Sequence, residues 1–327
     1  MTSQIIFFIA FLFVYPGSAS SIRELNHLHQ VYQFPNGSWV ENIAVRSNGN
    51  LLVTLANTPE LWQIMPSAQS GTSHASLVHH FDNAELATGV TELSPDVFAV
   101  ITPNIVWKID LNNGMQHTPT RIVTLPAGNL NGIDLLNADR ATVAISDSQA
   151  GLIWYLNTVT GDYNVLLRDE TTAANTNAGP LLGANGLKVH DGYVYYTNTP
   201  ERLFCRIPVD QVTGQTLGPS QIISRGALVD DFAISAHGVG YLAGLRENII
   251  TRVFPNGTQE IVVGSQNSTA LMSATSAAFG KGAHSDVLYI TTGGETDHPM
   301  SDMGSRGGKV MALSGIRDVP DAFGVNS

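Results

Sequence analysis

The chain has 327 residues, of which 43% are hydrophobic and 13% charged, and its net charge is −11. That apolar content is ample for a buried core, and so few charges leave ion pairs a minor part in holding it. An acidic balance with no Lys/Arg run argues against nucleic acid as a partner.

Residues 5–14 (IIFFIAFLFV) are an apolar run followed by PGSAS. The run is too short to span a bilayer comfortably and has the length of a signal-peptide core, so 1–20 reads as a signal peptide cleaved after Ala19 or Ser20. The mature chain, 21–327, is then expected in the secretory-pathway lumen or outside the cell, with no stable membrane insertion. Three sequons, at Asn36, Asn256 and Asn267, agree with secretion as candidate glycosylation sites. The first strand-like segment is 27–34 (HLHQVYQF).

Six copies of one pattern follow. Each has a small or polar anchor, an alternating apolar strand, a turn and a second apolar strand. The copies begin at Glu41 (ENIAV), Thr88 (TGVTEL), Asn131 (NGIDLL), Asn185 (NGLKV), Asp230 (DDFAIS) and Thr275 (TSAAF). Their spacing, about 43–54 residues, is that of a β-propeller blade. A last strand-like segment, 309–313 (KVMAL), lies outside the repeats. The fold expected is all-β: a single-domain six-bladed propeller of four-stranded antiparallel blades, closed by pairing of the N- and C-terminal strands, which hides the last edge.

Antiparallel alternation places the start of each inner strand at one mouth of the central tunnel. The turns after each second strand and the connections between blades ring the same mouth. Two of those segments are long, 169–184 and 293–308, and read as lids or as disordered segments. Within the second, Asp297 and His298 are the titratable residues best placed to meet a substrate. His237 and His284 fall in turns away from this mouth, and His79-His80 reads as part of an outer strand or loop. The single cysteine, Cys205, forms no intramolecular disulfide and reads as a buried structural thiol.

Four anchors, Glu41, Asn131, Asn185 and Asp230, could converge on the axis. Two carboxylates gathered there beside two amides would raise each other's pKa values unless a cation neutralised them. Such an all-oxygen set suits Ca²⁺, or Mg²⁺ with more waters. The same groups could instead hydrogen-bond neighbouring backbone around a water-filled hub. The apolar neighbours Ile43, Leu130, Leu187 and Phe232 are expected near the mouth, with Leu130, Leu187 and Phe232 as substrate-binding residues. This favours small apolar substrates over sugar acids.

The segments WVENIAV, NGID, NGLKV, DDFAIS and SAAFG…LYITT resemble the six-bladed propellers of the gluconolactonase and senescence-marker (regucalcin-like) superfamily, over about 40–315. The resemblance implies a divalent ion held by Glu41, Asn131, Asn185 and Asp230, and lactone hydrolysis. Two positions depart from the sugar-lactonase pattern: Asn129 stands where Arg is expected, and Asp231 where Gly is usual. The opening blade (GSWVENIAVRSNGNLLVTL) and VDDFAIS resemble a fungal branch, and within it the secreted hetero-Diels–Alderases of tropolone–sesquiterpenoid (meroterpenoid) biosynthesis. That resemblance implies cycloaddition of an o-quinone methide to an alkene such as humulene, with the four anchors as catalytic floor and no organic cofactor. Metal-dependent lactone or ester hydrolysis is the second reading, and a non-catalytic binding propeller the third. The sequence carries no signal for an oligomeric state.

Overall fold

A computed structural model describes residues 28–67, 71–112, 118–177, 179–295 and 305–316. They form six four-stranded antiparallel sheets. Blade one holds β2 (Val40–Val45), β3 (Leu51–Leu55), β4 (Glu60–Met65) and β5 (His74–His80). Blade two holds β6 (Val90–Ser94), β7 (Val97–Ile101), β8 (Ile105–Asp110) and β9 (Thr120–Thr124). Blade three holds β10 (Leu130–Asn137), β11 (Thr142–Asp147), β12 (Leu152–Asn157) and β13 (Tyr163–Leu167). Blade four holds β14 (Ala184–His190), β15 (Tyr193–Asn198), β16 (Leu203–Pro208) and β17 (Gln221–Arg225). Blade five holds β18 (Val229–Ile234), β19 (Gly240–Gly244), β20 (Ile249–Val253) and β21 (Gln259–Gly264). In blade six, β22 (Ala274–Phe279), β23 (Val287–Thr292) and β24 (Lys309–Ser314) take β1 (Leu28–Gln33) as outermost strand. Leu28 pairs with Leu313 and Gln33 with Lys309, which closes the ring as expected.

Burial follows position in the blade. The second strands β3 (LLVTL), β11 (TVAISD) and β19 (GYLAG) are buried at every residue, because both of their faces meet a neighbouring blade. The outermost β9 and β13 are mostly exposed or half-buried. Between blades one and two, Leu52 and Leu61 pack with Phe98, Val100 and Ile109. Between blades three and four, Ile153 packs with Leu187, Tyr196 and Cys205. Truncating such a residue to Ala costs about 2–5 kcal/mol, so the inter-blade layers are the main source of stability.

Two devices near the axis set the inner strands. The first is a one-residue slip in register, a β-bulge, at the start of five of them. It lies between Val40 and Asn42, Leu130 and Ile133, Ala184 and Leu187, Val229 and Phe232, and Ala274 and Ser276. A bulge leaves one residue unpaired and re-aims its side chain. The second is a belt of hydroxyls that donate to backbone carbonyls of the next blade. Thr54 donates to Thr88 O, Thr88 to Leu130 O at 3.0 Å, Ser146 to Asn185 O, Thr197 to Asp230 O at 2.6 Å, and Thr275 to Val40 O at 2.7 Å. The anchors of blades two and six, Thr88 and Thr275, are thus consumed in joining blades.

The described residues of 169–184, a segment read from sequence as a lid or as disorder, form a built rim. Asn175 and Leu182 form an isolated β-bridge. The Thr172 hydroxyl donates to Gly151 O at 2.9 Å, and the Asn198 amide to Thr171 O at 2.9 Å and Ala173 O at 3.0 Å. No helix among the described residues is long and apolar enough to cross a membrane. The expected signal peptide, 1–20, lies outside the described residues.

Candidate functional site

The four polar anchors enter at the bulges. Glu41 is half-buried, while Asn131, Asn185 and Asp230 are buried. Asp230 Oδ1 accepts a hydrogen bond from Asn185 Nδ2 at 2.7 Å, and the same amide donates to Thr199 Oγ1 at 2.7 Å. Among the described residues Asn185 Oδ1 is left buried with no partner. Glu41 Oε2 accepts from the indole Nε1 of Trp39 at 2.5 Å. Asn131 makes no side-chain hydrogen bond among the described residues.

These groups are electrostatically costly together. Burial pushes the Glu41 carboxyl up to about 7; the Trp39 hydrogen bond opposes this, and the negative charge of Asp231 adds to it. Asp230 is pushed well above the usual carboxylate range by burial, then by the charges of Glu41 and Asp231, against the Asn185 hydrogen bond. Two carboxyls held high beside an orphaned amide oxygen form a donor set that fits a hard divalent cation. Among the described residues, no group of three or more His, Cys, Asp or Glu side chains is arranged to hold a metal. An ion here would therefore rest half on the amide oxygens of Asn131 and Asn185.

Beneath the anchors the axis is filled. Asp231, 1% exposed, accepts from Asn42 Nδ2 at 2.9 Å and Ser276 Oγ at 2.9 Å. Lys188 Nζ reaches both of its oxygens, at 2.9 and 3.1 Å. This buried cluster ties blades one, four, five and six together, so in this layer the axis is a polar plug rather than an open tunnel. Gly186 is required beside it: a Cβ there would lie 2.5 Å from Asp231 Cα. Below the plug Lys188 faces a cleft of about 330 Å³ that also includes Ile133, Asp134 and Phe279. Burial raises the pKa of Asp134, against the opposing charge of Lys188 and three hydrogen bonds.

Three expected contact residues are elsewhere. Leu130, Leu187 and Phe232 have no exposed surface and pack between blades. Leu130 is adjacent to Asn131 and alternates to the opposite side. Leu187 and Phe232 lie two residues beyond an anchor, but the intervening bulge shifts the parity and turns them into the sheet packing. Ile43 is likewise buried. Leu181, in the 169–184 segment, is an apolar side chain left 45% exposed. Asp297 and His298 lie outside the described residues.

Other sequence readings can be placed. His237 follows β18 in a turn remote from the anchors, with its backbone N–H on Ser235 Oγ at 3.3 Å. His284 closes a short 3₁₀ turn before β23. His79 and His80 are in the outermost strand β5, where His80 Nδ1 lies 3.3 Å from Glu60 Oε1. The buried Cys205 thiol is pushed up to about 12, mainly by burial, so it is no nucleophile at neutral pH. Asn36, Asn256 and Asn267 are all exposed. At position 129 the backbone N–H donates to Asp147 Oδ1 at 3.0 Å, within a cap that also binds Gly128 and Ala150.

Trp39, Asn42 and Lys188 were missed by the sequence reading. Trp39 stands two residues before Glu41, and an indole N–H that close to a carboxylate in sequence is the one local signal that could have found it. Lys188 carries no local signal, because its partner Asp231 is in another blade.

No family model matches the chain. It is 27% identical over 301 residues to a Phoma sp protein named "Putative hetero-Diels-Alderase", covering 80% of this chain and 85% of that one. It is also 27% identical over 327 residues to "Putative hetero-Diels-Alderase asR5" of Sarocladium schorii, covering 84% and 80%. Among solved structures, the calcium-binding protein regucalcin of Agrobacterium tumefaciens superposes with a TM-score of 0.61 at 16% identity, covering 87% of this chain and 92% of that one. A gluconolactonase of Xanthomonas campestris does so with a TM-score of 0.62 at 11% identity, covering 88% of each. These two share the fold.

Proposed function

We propose that the chain is a hetero-Diels–Alderase that joins an o-quinone methide to the alkene of a sesquiterpene such as humulene. The observation that carries this reading is the similarity, over at least 80% of the chain, to two proteins so named. In the reaction one C–C and one C–O bond form between the four-atom heterodiene and the alkene. The heterodiene C=C and C=O and the alkene C=C are consumed, and the new double bond restores the aromatic ring. No atom leaves and nothing is oxidised, so neither nucleophile nor redox cofactor is required.

The anchors suit the polar half of this task. A carboxyl with a pKa near 7 is partly protonated at neutral pH, so Glu41 can donate a hydrogen bond to the quinone-methide oxygen as negative charge builds there. Glu41, Asn131, Asn185 and Asp230 would also hold a divalent cation, whose chemistry there is polarisation of the same oxygen. The polar plug of Asp231, Lys188, Asn42 and Ser276 closes the floor, so substrates enter from the anchor side. Holding both partners in one orientation supplies the rest of the acceleration. Leu181 on the rim is the first candidate contact for the hydrocarbon. The sequons and the apolar N-terminal run support secretion of a glycosylated enzyme.

Metal-dependent lactone or ester hydrolysis is the second reading, favoured by the complete Glu–Asn–Asn–Asp set and the orphaned Asn185 oxygen. Product analysis separates the two. Purified protein is mixed with a quinone-methide precursor and humulene, against a control without protein. Faster formation of one stereoisomeric cycloadduct supports the first reading. A product profile equal to the control, together with hydrolysis of a lactone panel that Glu41→Ala abolishes, supports the second.

A further inference from the structure

We propose that Trp39 is the positioning residue of the site, holding one oxygen of Glu41 so that the other is presented to the ligand. The inference rests on the pericyclase reading for its kinetic consequence, but its geometry is independent of it.

Trp39 directly precedes β2 and is 3% exposed, so its ring is part of the wall behind the anchor and not a surface for substrate. Its main chain is fixed on both sides by the turn after β3. Trp39 N donates to Asn57 Oδ1 at 2.8 Å, and Trp39 O accepts from Ala56 N at 3.0 Å. The six-membered ring lies against Gly293 at the end of β23. A Cβ on that glycine would come within 2.6 Å of Trp39 Cδ2, so the absence of a side chain there is what admits the indole. Clamped in this way, the indole has one N–H to offer, and it donates to Glu41 Oε2 at 2.5 Å.

Among the described residues that is the only hydrogen bond the Glu41 carboxyl receives. Asp230, by contrast, is oriented by Asn185. The indole therefore selects the carboxylate rotamer and occupies one oxygen, leaving Oε1 as the atom able to meet a carbonyl oxygen, through its proton, or a cation. An unanchored glutamate would sample several rotamers, and a misplacement of about 1 Å costs about 100-fold in rate. The other three tryptophans spend their indole N–H groups differently: Trp62 on Glu60 at 2.8 Å, Trp107 on Thr102 at 3.1 Å, Trp154 on Asp147 at 3.2 Å. Their distinct partners make the four resonances separable.

The test uses the full chain with ¹⁵N-labelled indoles, the variants Glu41→Gln and Trp39→Phe, and cycloadduct kinetics. Trp39→Phe identifies the Trp39 indole resonance by its loss. Glu41→Gln is expected to move that resonance and leave the other three in place. Trp39→Phe, which keeps an aromatic ring against Gly293, is expected to lower kcat about tenfold with KM little changed. An unmoved Trp39 resonance in Glu41→Gln overturns the proposal, as does a Trp39→Phe enzyme with wild-type kcat. Should the wild-type protein form no cycloadduct, the pericyclase reading falls, and the resonance shift still decides whether Trp39 holds Glu41.

Discussion

Asn185 donates to Asp230 at 2.7 Å while its own Oδ1 is buried without a partner among the described residues. A buried acceptor left unsatisfied costs about 1–3 kcal/mol, and a cation at the axis would remove that cost. Asn185→Leu is therefore expected to weaken Ca²⁺ binding at least tenfold in calorimetry performed without substrate. Wild-type affinity in that variant would exclude Asn185 as a ligand.

The raised carboxyls make stability depend on pH. Glu41 titrates at about 7 in the folded protein against an ordinary 4.5, so between those values the folded state binds more protons than the unfolded one. Stability then falls as pH rises from about 4.5 to 7, and Asp230 acts in the same direction. Without divalent ions the loss is expected to be on the order of 2 kcal/mol. Thermal melts at pH 5 and pH 7.5, with and without millimolar Ca²⁺, check it. The expected pattern is a lower Tm at pH 7.5 that calcium restores.

Asp231 is fully buried and the half-buried Lys188 is its charge partner, so removing Lys188 strands a charge. Lys188→Met is expected to destabilise by about 3–5 kcal/mol, whereas the double variant with Asp231→Leu recovers part of the loss. Chemical denaturation of the single and double variants gives the coupling directly. Independent, additive losses would mean that the pair contributes no mutual stabilisation.

Cys205 is expected to resist thiol reagents in the folded state, because burial holds its thiol near 12. Labelling with a chromogenic disulfide at pH 8 should be negligible before denaturation and stoichiometric after it. Rapid labelling of native protein would contradict the packing of blade four.

The blade count was legible because each inner and second strand writes its alternation locally, and the terminal strands stood out as unpaired segments. The anchors were legible as polar residues opening apolar strands. The bulges were not, since a slip of one residue leaves composition and alternation almost unchanged, and this is why Leu187 and Phe232 were expected beside the anchors. Lys188 and Asp231 were opaque for a different reason: a pair split across two blades looks, in one dimension, like two solvated charges. The hydroxyls of Thr54, Ser146 and Thr197 were hidden similarly, as a Thr or Ser inside a strand reads as β-propensity alone.

The ring closes through β1 and β24, where Leu28 meets Leu313, the widest sequence separation of any strand pair described. During synthesis β1 emerges first and must wait, unpaired, until β24 has followed. Contacts this distant form slowly, and β1 offers an unpaired edge throughout the delay. Slow closure and association of half-closed chains through that edge are thus consequences of the architecture. Refolding yield should therefore depend more steeply on protein concentration than native stability does.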